Sequence, residues 1–175
     1  MLKAALILVF PLFSLPFSSF AGEKALGYVN RLPTEAVESL GKGAEFVLYS
    51  LDPGPITFLP TPRLKAGESL DGFKILGRLA LTDPKSRAIA VSAFTEAIQA
   101  ADIHFIAMCF RPRHALRVTA NGKVFDFIIC YECGRLKLFQ DGVLVGAIGI
   151  PSAPEPLNKL LSAAGIPLAA QDPVK

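Results

Sequence analysis

The sequence contains no tryptophan, two histidines, two methionines and three cysteines in 175 residues. Sugar-binding faces and RNA-binding sheets favour exposed aromatic platforms, so the absence of Trp argues against both. The thirteen phenylalanines fit a core better than a stacking surface. Phe46, Phe94, Phe125, Phe127 and Phe139 read this way. An excess of one charge is also missing. Eighteen basic and 15 acidic residues leave a net charge of +3, and the Lys and Arg residues are scattered. That excludes the basic footprint of a nucleic-acid binder. Gly and Pro, 14 of each, follow no period, which excludes collagen-like and low-complexity chains. There is no internal repeat and no established catalytic motif. Beyond the first residues, no apolar run is long enough to span a membrane.

What is present is a chain that is 51% hydrophobic and of single-domain length. Residues 1–21 read as a secretory signal peptide. Lys3 supplies a positive region, Ala4 to Phe17 an apolar stretch broken by Pro11 and Pro16, and Ser19 and Ala21 the small residues before a cleavage site. A spanning helix needs about 20 apolar residues, more than this run offers. The protein is expected to be exported, periplasmic or extracellular, with no transmembrane segment in the mature chain.

Residues 22–43 read as a leader and short helix, with Thr34 as cap and Gly41 as terminator. Residues 44–168 read as a single α+β domain, and 169–175 as a flexible tail. Strands are expected over Ala44 to Leu51, Phe73 to Leu81 and His104 to Phe110. Thr82-Asp83-Pro84 opens a helix with an apolar stripe at Ile89, Ala90, Ala93, Phe94, Ala97, Ile98 and Ala101. Asn121-Gly122 and Asp141-Gly142 mark two tight hairpins. Glu155 to Ala164 reads as a last amphipathic helix closed by Gly165. Hairpins dominate, so the expected fold is an antiparallel, hairpin-rich sheet with helices packed on one face.

Chemistry concentrates at Cys109, His114, Cys130 and Cys133, spaced C-x4-H-x15-C-x2-C. A two-residue turn at Asn121-Gly122 pairs Ala120 with Lys123. It sets Ile129 opposite His114 and Cys130 opposite Arg113. It also sets Glu132 opposite Arg111 and Asp126 opposite Arg117, and brings Cys109 near Cys133. Several readings follow. In a disulfide, Cys109 would bond Cys130 or Cys133, since two residues three apart in an extended strand stand about 10 Å apart. Cys109, His114, Cys130 and Cys133 could instead hold zinc, with Gly134 easing a turn that lets amides donate to sulfur. Cys130 beside Arg113 could be a reactive thiol in a redox enzyme, or the three cysteines could be inert core residues. Arg111, Arg113 and Arg117 share a strand face if no bulge intervenes. They could clamp a carboxylate or phosphate, or pair only with Glu132 and Asp126; Arg111, Arg113 and His114 form the expected rim, and Arg111, Arg113 and Glu132 are the candidate binding residues.

The segments Cys109-Phe110-Arg111-Pro112-Arg113-His114 and Ile129-Cys130-Tyr131-Glu132-Cys133 resemble a family of small, uncharacterised, exported bacterial proteins. Its members carry a C-F-x-P-R-H stretch, a hairpin and an I-C-[FY]-x-C strand. The likeness spans Leu48 to Leu168 and implies a place in the bacterial envelope. The expected function is a non-enzymatic binding or structural role, with the Cys/His cluster stabilising a central hairpin. A zinc-binding protein and a thiol-dependent redox enzyme are the alternatives. The expected partner is a protein or small molecule, not nucleic acid.

Overall fold

The computed structural model describes residues 31–54, 67–101 and 109–170. The expected signal peptide, and the expected strand up to residue 108, lie outside these. Among the described residues the chain forms three helices and a curled seven-stranded antiparallel sheet, a mixed α+β fold. In chain order the elements are α1 (Thr34–Lys42), β1 (Glu45–Asp52), β2 (Ser69–Leu70), β3 (Phe73–Ala80) and α2 (Pro84–Gln99). Then come β4 (His114–Ala120), β5 (Lys123–Cys130), β6 (Arg135–Gln140), β7 (Val143–Gly149) and α3 (Glu155–Ala163). The sheet order is β2-β3-β1-β4-β5-β6-β7.

The last four strands form a meander whose register the turns impose. Asn121 and Gly122, then Asp141 and Gly142, all hold positive φ. That backbone matches the twist of the strands they join. Ala120 pairs with Lys123, and the ladder runs unbroken to His114 opposite Ile129. It stops there, so Arg113 and Cys130 are not ladder partners. Asp71-Gly72 makes a third turn of the same kind between β2 and β3.

α2 begins as its sequence requires. The Asp83 carboxylate accepts from the Ser86 amide at 2.8 Å, and Pro84 occupies the first turn. Its inward residues are Ala90, Phe94 and Ala97, whereas Ile89 is 37% exposed. α1 differs from expectation at both ends. Pro33, not Thr34, precedes the helix without a side-chain cap, and the helix runs through Gly41 to Lys42. Pro33 supplies φ −57 and its carbonyl takes the Ala36 and Val37 amides, so no hydroxyl is needed to start the turn.

Two apolar clusters form the core. The larger contains Ala36 and Leu40 of α1, Phe94 of α2, Leu157 and Leu161 of α3, and Leu48, Leu116, Phe127 and Leu136 of the sheet. Four of the five phenylalanines read as core, Phe46, Phe94, Phe125 and Phe127, are buried. Phe139 is partly buried against the smaller cluster of Tyr49, Leu51, Leu70, Ala115 and Ile128. After α3, the chain crosses β3 and β1. Ile166 packs where a side chain on Gly77 would stand, 2.6 Å from its Cγ2, and the Ser50 hydroxyl donates to the Pro167 carbonyl at 2.7 Å.

Candidate functional site

The end of the β4–β5 hairpin gathers the residues singled out in the sequence. β5 ends at Cys130, and Tyr131 to Gly134 form a turn. Gly134 takes φ +59, a conformation that suits glycine, and its amide donates to the Tyr131 carbonyl at 3.4 Å. The Gly134 carbonyl accepts from Ile150, tying the turn to the end of β7. The turn replaces the extended geometry that would separate Cys130 from Cys133. Their Cα atoms stand 5.4 Å apart and their sulfurs lie at disulfide distance. This corrects the expectation that Cys109 would take one of the two as its first partner. The Cys133 amide donates to Cys130 Sγ at 3.1 Å.

Cys109 completes a three-sulfur cluster. Its Sγ lies 2.9 Å from Cys133 Sγ. Cys130 and Cys133 are fully buried, and Cys109 is exposed. The exposed cysteine is therefore Cys109, not Cys130. Among the described residues no group of three or more His, Cys, Asp or Glu is arranged to hold a metal ion. His114 instead turns its Nε2 to Asn158 Oδ1 of α3 at 2.8 Å.

Beside the sulfurs lies a cavity of about 400 Å³. Its lining includes the charged or aromatic residues Arg111, Arg113, His114, Tyr131 and Glu132, with Ser152 and Asn158 as further polar groups. The Glu132 carboxylate meets Arg113 at 2.6 Å and Arg111 at 3.6 Å. Arg111 also donates to the Gly54 carbonyl, and Arg113 to the Ala170 carbonyl at 3.5 Å. Leu168 and Ala169 line the rim, so the start of the expected tail lies against the site. Arg117 is apart from this group. Its side chain makes two bonds to Asp126, at 2.7 and 2.8 Å, and stacks over Tyr49. The strand ladder ends before Arg113, so the three arginines do not share one face.

His114 is 3% exposed, and burial lowers its pKa to about 4. It is neutral at physiological pH. Because Asn158 Oδ1 accepts, the proton sits on Nε2 and Nδ1 carries a lone pair. Tyr131 packs edge-on to His114, with ring centroids 5.9 Å apart. Burial, and then the negative charges of Glu155 and Glu96, push its phenol pKa up, so it stays protonated. His114 Nδ1 and Tyr131 Oη are both buried without a hydrogen-bond partner among the described residues. Buried polar groups are normally paired, so an unpartnered donor and acceptor on two residues that line one cavity need an explanation.

No family model, no curated protein and no solved structure matches the chain. The chemistry of the site rests on the residues themselves. The sequence pointed to Arg111, Arg113, Glu132 and the Cys/His set, and the structure groups these at one hairpin end. It did not point to Tyr131 or Asn158. Tyr131 carried a signal, since a turn-forming C-x2-C projects its two middle residues together. Asn158 lies on α3, and nothing local announces its approach to His114.

Proposed function

We propose that the protein is a small, exported, non-enzymatic binding domain of the bacterial envelope. It takes a small carboxylate that also carries a hydroxyl. The observation that carries this reading is that His114 and Tyr131, which line a cavity rimmed by two guanidiniums, each keep a buried polar atom, Nδ1 and Oη, without a partner among the described residues. Arg111 and Arg113 bring two planar guanidiniums to that rim, a geometry that suits a carboxylate. A ligand hydroxyl that reached these two atoms would donate to His114 Nδ1 and accept from the Tyr131 phenol. The volume falls in the small-molecule range of about 300–1,000 Å³.

Other features support the wider reading. A buried cysteine pair at disulfide distance suits an oxidising compartment. Among the described residues no helix is long and apolar enough to cross a membrane. All three helices contribute to the larger core, which favours helices on one face of the sheet. His114 is paired with an amide rather than a carboxylate, and burial outweighs that bond and lowers its pKa to about 4, so it makes a poor general base.

Calorimetric titration with small hydroxycarboxylates, their deoxy analogues and their amides tests the proposal. Hydroxycarboxylates should bind, and the deoxy and amide forms should bind at least about tenfold more weakly. Tyr131→Phe should erase the preference for the hydroxyl. Absence of binding across the panel, or an unchanged preference in Tyr131→Phe, would overturn it.

A further inference from the structure

The three sulfurs stand in an order that suggests chemistry beyond ligand binding. Two are buried and at bonding distance. The third is exposed and lies 2.9 Å from the nearer of them. We infer that Cys109, Cys130 and Cys133 form a thiol–disulfide exchange centre in which Cys109 passes the oxidising equivalent of the buried pair to a dithiol outside the protein.

In the first step Cys109 releases its proton to solvent, and its sulfur forms a bond to Cys133 Sγ. The Cys130–Cys133 bond breaks, and its electron pair remains on Cys130 Sγ. The Cys133 amide, 3.1 Å away, already donates to that sulfur and stabilises it as the leaving thiolate. This step only moves the disulfide, with no net oxidation. The disulfide now includes Cys109, at the surface. In the second step a substrate thiolate attacks Cys109 Sγ. A mixed disulfide forms, and Cys133 leaves with the electron pair and takes up a proton. In the third step the second thiolate of the substrate attacks its own sulfur in the mixed disulfide, and Cys109 is released. The dithiol has lost two electrons and two protons, and Cys130 and Cys133 have become thiols. The transfer is stoichiometric, one dithiol per oxidised chain.

The direction follows from exposure. A buried disulfide is poorly accessible to an external thiol, and exchange needs access to the attacked sulfur. Cys109 provides that access. Fully buried Cys130 can only be reached through its partner.

The test follows reduction of the protein by dithiothreitol, with acid quenching, alkylation and mass spectrometry of the cysteine peptides. In the wild type, Cys130 and Cys133 should become alkylatable at least about tenfold faster than in Cys109→Ser. Cys109 lies outside helix and strand, so this variant should keep its fold. Equal rates would overturn the proposal. Cys130→Ser supplies a second reading. After mild oxidation the folded variant should form Cys109–Cys133 and lose the two hydrogens that a disulfide removes. If both thiols remain alkylatable, the sulfurs do not exchange and the proposal fails. Should Cys130→Ser not fold, the comparison of rates decides alone.

Discussion

Substitution of Asp71 by Asn should make the protein more stable at neutral pH, and the gain should vanish in acid. Asp71 sits in the β2–β3 turn, where burial, and then the charge of Asp126, raise its carboxyl from the ordinary 3.8 to about 6. Arg117 opposes this less strongly. The folded state therefore holds the Asp71 proton more tightly than the unfolded chain between those two values. Stability falls as pH rises through that window and is level above it. At about 1.4 kcal/mol per pH unit the gap sets a ceiling of about 3 kcal/mol. Asp71 is only partly buried, and solvent screening reduces this to about 1–2 kcal/mol. Asn removes the charge and tolerates the φ of +46 at this position.

Urea unfolding of both proteins between about pH 4 and pH 7.5 measures the difference. The advantage of Asp71→Asn should be about 1–2 kcal/mol at the neutral end and near zero at the acid end. A constant difference across the range, or a less stable variant at neutral pH, would refute the reasoning. His114 acts with the opposite sign. Its folded pKa, lowered to about 4 from 6.5, adds stability that is present above about pH 6.5 and lost toward pH 4. The wild-type profile should thus be flatter than that of the variant, whose stability should climb from pH 4 to 6.5 with little to offset it.

Gly77→Val should displace Ile166 and break the bond from Ser50 to Pro167, at a cost of about 1–3 kcal/mol. A lower melting temperature, with faster amide exchange at Ile166, would show it. Arg117→Ala should cost about 3–5 kcal/mol by urea unfolding, because Asp126 is 1% exposed and would lose both guanidinium bonds. The double change with Asp126→Ala should cost less than the sum of the two. Reduction of the cysteines should weaken hydroxycarboxylate binding by at least about tenfold in a titration, because Tyr131 and Glu132 sit between Cys130 and Cys133.

The hairpins were legible because each turn carries a local chemical requirement. Asn121-Gly122 and Asp141-Gly142 accept positive φ, and the first sets a register that brings Arg117 to Asp126 and His114 to Ile129. Asp71-Gly72 has the same chemistry but joins a two-residue strand, too short to show alternation. Carried past His114, that register set Glu132 opposite Arg111; the ladder does not extend so far, and Glu132 makes its contact with Arg111, at 3.6 Å, from the turn. Its second bond, to Arg113, arises because the ladder stops at His114 and frees the chain to turn. The Cys130–Cys133 pair was hidden by the assumption of a continuous strand, which Gly134 breaks. The pairing of His114 with Asn158 joins residues 44 positions apart, and no short-range pattern encodes such a contact.

The central claim is that one turn collects all three cysteines into a single centre holding one disulfide. Peptide mapping of the full chain tests it most directly, with the protein denatured in acid and alkylated without reductant. One disulfide per chain should be found, always including Cys133, with either Cys130 or Cys109 as its partner and the remaining cysteine alkylated. Three alkylated cysteines would contradict the account, whether or not a metal accompanied them.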